Sequence, residues 1–281
     1  EYGQILTEKD RQEKARQEEI DKIKELADSL VSDKNSSKAS ERGTFALTER
    51  DAKIKYSGNS MTSEISSDIL SAVSYNGEKV VIESKRDSDR NSVSLKDIDF
   101  STINGNLKLN LVSKSYDIVV PVTKLNDGSG RNYSVVAEKQ SSSFGDSKIV
   151  SDVIDFYITK NNNRITKKDL AGYYKSDIEL AVSYSNINTD NIGLFRLNET
   201  NNSWERVSTT KDTSRKMLVV KNPEFGKYAI RSLEVNIIPS NNHIVDKQIE
   251  NLNNKGILEG VSNSLSAEKM LTKGEFVKLL I

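Results

Sequence analysis

Between positions 45 and 232 the apolar residues come only in short runs rich in Val, Ile, Leu and Tyr, and turns containing Asn, Ser or Gly break nearly every run. A surface helix needs an apolar residue every three or four positions over three or more turns. Runs this short instead match the span of a single β-strand, and the Asn- and Gly-containing breaks match tight turns. "AKIKY" (52–56) and "LKLNLV" (107–112) alternate, "KVVIES" (79–84) follows Asn76-Gly77, and "YDIVVPV" (116–122) carries Pro121 near its end. Proline has no N–H to give a ladder, so that segment is expected at a sheet edge or to end in a bulge. A second set follows: "VIDFYIT" (153–159), "IELAVSY" (178–184), "IGLFRL" (192–197), "WERV" (204–207), "MLVV" (217–220) and "KYAIR" (227–231). The close turn spacing of this second set predicts an antiparallel sandwich, with "LFRLNETNNSWERV" as a hairpin.

Helical spacing appears in three places. Ile20, Ile23, Ala27 and Leu30 form a narrow apolar stripe among charges, which suits a solvent-bridging spacer or half of a helical pair, with the spacer preferred. Ile65, Ile69, Leu70 and Val73 predict one short helix within the strands. Val245, Ile249 and Leu252 form a third stripe, with Gly256 placed to end it in a left-handed conformation and Phe276, Leu279 and Leu280 opening another helix. The predicted fold class is mainly β with α (α+β). Residues 1–44 are a spacer helix and polar linker, 45–146 a β-rich module with one short helix, 147–233 a sandwich-like module, and 234–281 a helix-loop-helix. The chain ends on the apolar face of that last helix, so a clipped unit with more beyond it is the expectation.

Lys+Arg and Asp+Glu both number 41, so a net charge of +0 gives no electrostatic reason to expect nucleic acid or an anionic membrane as partner. With Cys 0 and His 1, thiol chemistry, disulfides, His-based metal clusters and a Ser-His-Asp triad anywhere but at His243 are all excluded. No apolar run is long enough to span a bilayer as a helix. The chain has neither a phosphate-binding Gly-rich motif nor a carboxylate pair that stands out for acid/base work. No catalytic residue, cofactor or metal is therefore expected. Residues 87–91, Asp-Ser-Asp-Arg-Asn, open like a calcium loop, but Ser92 and Ile98 stand where such a loop needs Gly and Glu. Asn35, Asn132, Asn198 and Asn201 begin glycosylation-type triplets, which an Asn-rich chain produces by chance. Trp204, the only Trp, reads as a core or cross-strand anchor rather than a sugar platform, because a platform usually has aromatic company.

Thr272 and Glu275 form an S/T-x-x-E capping box immediately before an apolar run. Lys273 between them puts a cation at a helix N-terminus, where the dipole disfavours it unless an anion is near.

Ile249, Leu252, the Lys255-Gly256-Ile257-Leu258 turn with Gly260, and the run from Leu271 to Phe276 together resemble a repeat of the S-layer homology family. That family's pattern is an I-x-x-L helix, a K-G-I-I-x-G turn and an I-T-R-A-E-F helix start. The resemblance covers residues 237–281, close to one repeat. It departs from the pattern where His243-Ile244-Val245 lacks the usual Trp and where Lys273 replaces Arg, keeping the charge without the bidentate fork. The resemblance implies a non-catalytic segment of an extracellular bacterial surface protein. In this family, repeats anchor to secondary cell-wall polysaccharide, so Lys273, Glu275, Gly256 and His243 are the implied glycan-binding residues. The β-modules would be stalk or lattice units, with other surface-layer subunits as further partners. "LKLNLVSKSYDIVVPV" and "LFRLNETNNSWERV…FGKYAI" are similar to the β-modules that precede such repeats. The alternative reading is the accessory and anchor region of a secreted, wall-anchored enzyme whose catalytic domain lies upstream.

Overall fold

The computed structural model describes residues 8–32, 43–103, 105–126, 132–140, 146–171, 177–187, 192–233, 236–237 and 264–265. Over these residues the chain is mainly β with two α-helices. It divides into two compact units that alternate along the chain: residues 1–139, 156–181 and 221–225 form one, and 140–155, 182–220 and 226–281 the other.

The first unit begins with α1 (Glu8–Ser32) and β1 (Thr44–Ala46). β2 (Lys55–Ser57), β3 (Ser60–Ser66), α2 (Ser67–Asn76) and β4 (Lys79–Glu83) follow. Next come β5 (Arg90–Lys96), β6 (Lys108–Val112), β7 (Tyr116–Pro121) and β8 (Tyr133–Gln140). β9 (Val153–Lys160) and β11 (Glu179–Ser183) each start in one unit and end in the other, and β10 (Asn163–Arg164) pairs with the end of β9.

Strands β1, β4 and β6 pair in parallel and β6 pairs antiparallel with β7. In the other sheet β3 pairs in parallel with β5, flanked by antiparallel β2 and β8. Val80, Val81 and Ile82 of β4 are all buried, as are Leu109, Asn110 and Leu111 of β6. Burial on both faces is what parallel strands require, which explains why "KVVIES" reads as a continuous apolar run rather than an alternation. Pro121 is the last residue of β7, and a 3-10 turn begins at the next residue, so no later ladder bond is needed from it.

Ser66 caps α2, its Oγ accepting from the Ile69 N–H, and the helix carries Leu70 and Val73 into the core. Ile65, which shares the helical spacing, belongs instead to β3. α1 packs along α2, with Ala27 fully buried and the Lys24 ammonium 5.9 Å from the centroid of the Tyr75 ring. The N-terminal stripe thus makes half of a helical pair rather than a spacer through solvent, because Ile20, Ile23 and Ala27 have an apolar partner face to cover. Gly77 ends α2 where β1 approaches it. A Cβ there would lie 2.4 Å from Phe45 Cε2 and 2.8 Å from the Gly43 carbonyl oxygen, so only glycine fits without displacement.

Tyr116 on β7 and Asn91 on β5 connect the two sheets of this unit. Both are fully buried, and Asn91 Nδ2 donates to Tyr116 Oη at 2.6 Å. The short 221–225 segment joins the same unit through Lys167, whose buried ammonium donates to the Asn222 carbonyl at 2.7 Å, and through an edge-to-face contact of Phe225 on Phe156.

The second unit contains β12 (Ile192–Asn198), β13 (Ser203–Arg206), β14 (Thr210–Asp212), β15 (Met217–Lys221, its last residue in the first unit) and β16 (Gly226–Ser232). β12 and β13 form the hairpin read from "LFRLNETNNSWERV", β16 pairs antiparallel with β12, and β14 with β15. Residues 148–150 run beside β16, with the Ser232 N–H donating to Lys148 O and the Val150 N–H to Ile230 O. In 234–281 the described residues are β17 (Asn236–Ile237) and β18 (Ser264–Leu265), which pair in parallel.

Candidate functional site

The implied glycan-binding residues Lys273, Glu275, Gly256 and His243 lie outside the described residues. Other candidates from the sequence do fall within them.

The 87–91 loop already holds a cation of its own. Lys139 Nζ lies 2.7 Å from Asp87 Oδ1 and 4.0 Å from Asp89 Oδ1, and Asn59 Nδ2 donates to Asp89 Oδ2. The ammonium occupies the place a metal would need, and Asn91 faces Tyr116 in the interior rather than joining the loop's carboxylates. Among the described residues no group of three or more His, Cys, Asp or Glu side chains is placed to hold a metal ion. Beside this loop, Glu138 accepts from Arg90 Nε and Tyr157 Oη. Burial would raise its carboxyl, but those two hydrogen bonds hold it below the usual glutamate range.

Of the triplet asparagines, Asn35 lies outside the described residues, Asn132 reaches across to another segment, and Asn198 and Asn201 work in local turns. Asn132 Oδ1 accepts from the Asp97 N–H, Asn198 Oδ1 from the Thr200 N–H, and Asn201 Oδ1 from both the N–H and the hydroxyl of Ser203. The last two shape the loop that leads into Trp204.

Trp204 lines a cleft of about 520 Å³ in the second unit. Asn202 and Ser203 accompany it from the hairpin, Asp146, Ser147 and Lys148 come from the segment beside β16, and Arg231 completes the lining. Register explains this grouping, because residues directly opposite on antiparallel strands share a face. Trp204 is opposite Leu197, Arg206 opposite Phe195, and Arg231 opposite Gly193, so Trp204, Phe195, Arg206 and Arg231 project from one face. Trp204 is half-buried against that face, which makes it a cross-strand anchor that still borders open space.

The cleft arginine is held in place before any ligand arrives. The Arg231 guanidinium carbon lies 4.6 Å from the centroid of the Phe195 ring. Its Nε is 2.9 Å from Asp146 Oδ2, at an angle that makes an ion contact but no hydrogen bond. Gly193 keeps the same face low, since a Cβ there would lie 3.2 Å from Arg206 Nε. Trp204 alone was singled out from the sequence. Arg231 and Asp146 are far from it along the chain and carry no motif; strand register brings Arg231 to its face, and the segment beside β16 brings Asp146.

A polar cleft with one aromatic wall and fixed charges can bind and orient a ligand. No family model matches this sequence, and no curated protein matches it.

Proposed function

We propose that this chain is a non-catalytic segment of a bacterial surface-layer type protein. Its C-terminal region holds the protein on secondary cell-wall polysaccharide, and its β-rich units act as stalk or lattice elements outside the cell. The observation that carries this reading is the sequence from Ile249 to Phe276, whose I-x-x-L, K-G-I-L-x-G and T-K-G-E motifs stand at the spacing of an S-layer homology repeat. The mainly β build of the described residues suits an extended stalk, and no described helix is long and apolar enough to cross a bilayer. Lys273 would meet the anionic groups of the wall glycan, assisted by the positive end of its helix, with Glu275 fixing that helix start. Gly256 and His243 complete the implied glycan-binding set.

The experiment is co-sedimentation of the chain with purified cell-wall sacculi, before and after chemical extraction of the wall polysaccharide. Binding should be lost on extraction and on deletion of residues 234–281, and weakened by Lys273→Ala. Equal pelleting with extracted sacculi, or by the deleted chain, would sink the proposal.

A further inference from the structure

We draw no further inference here: the strongest candidate, the groove of about 520 Å³ between α1 and the start of α2, with Ile23 and Leu26 on one wall and Glu19, Asp68, Asp97 and Asp99 around it, rests on a cluster of acidic side chains with no second feature of the structure that points to a ligand.

Discussion

Replacing Tyr116 by Phe tests the join between the two sheets of the first unit. Tyr116 and Asn91 are both fully buried, and their side chains meet through the 2.6 Å bond from Nδ2 to Oη. Asn91 Oδ1 has no hydrogen-bond partner, so Tyr116→Phe strands the Nδ2 donor as well. An unsatisfied buried donor costs about 1–3 kcal/mol, and that is the expected destabilisation near pH 8. Alkaline pH should then shrink the gap. Burial pushes the Tyr116 hydroxyl up to about 12 from its usual 10.0, against the pull of Asn91 and Ser113. A raised pKa means that the folded state keeps its proton after the unfolded state has lost it. The corresponding stability is therefore complete below pH 10 and drains away as pH rises from 10 towards 12. The wild type should lose about 1.4 kcal/mol from this group by pH 11, a loss Tyr116→Phe cannot show. Other groups that titrate in this range are common to both proteins and cancel in the difference. Urea unfolding followed by circular dichroism at pH 8 to 11 supplies the measurement. A wild-type-minus-variant gap that stays constant across that range would refute the reasoning.

Gly77→Ala should cost about 1–3 kcal/mol, because its methyl meets both the Phe45 ring and the fixed Gly43 carbonyl. Gly105→Ala, with nothing within 4 Å of the new carbon, should leave the urea midpoint nearly unchanged. Lys139→Met should lower stability by about 0.5–1 kcal/mol at low salt and less at 1 M NaCl, since it removes the ammonium between Asp87 and Asp89. Glu64 is held at about 2 by hydrogen bonds from Lys53 and Lys96, below the usual 4.5. Its contribution should be present above pH 4.5 and fade as pH falls towards 2, and Glu64→Gln should flatten that part of the acid unfolding profile.

The sequence by itself determined where many strands are. A dense run of Val, Ile or Leu must leave water, and at four to eight residues only a strand can carry it, which makes β4, β6, β9 and β12 legible. It also determined α2, through the spacing of Ile69, Leu70 and Val73, and the β12–β13 hairpin with Trp204 on it. β3 stayed hidden because its buried face contains Ser63, whose hydroxyl is satisfied by the Ala52 carbonyl at 2.9 Å. A hydrogen-bonded serine can occupy a core position that hydropathy assigns to the surface. The pairing of α1 with α2, the parallel alignment of β1, β4 and β6, and the return of residues 156–181 and 221–225 to the first unit belong to tertiary structure. Each depends on a partner face distant along the chain, which local pattern does not specify. The cleft makes the same point: the sequence supplied one tryptophan, register across β13, β12 and β16 brought Phe195 and Arg231 to its face, and the segment beside β16 added Asp146. Side-chain type is local information, whereas which side chains share a face is decided by how the strands align.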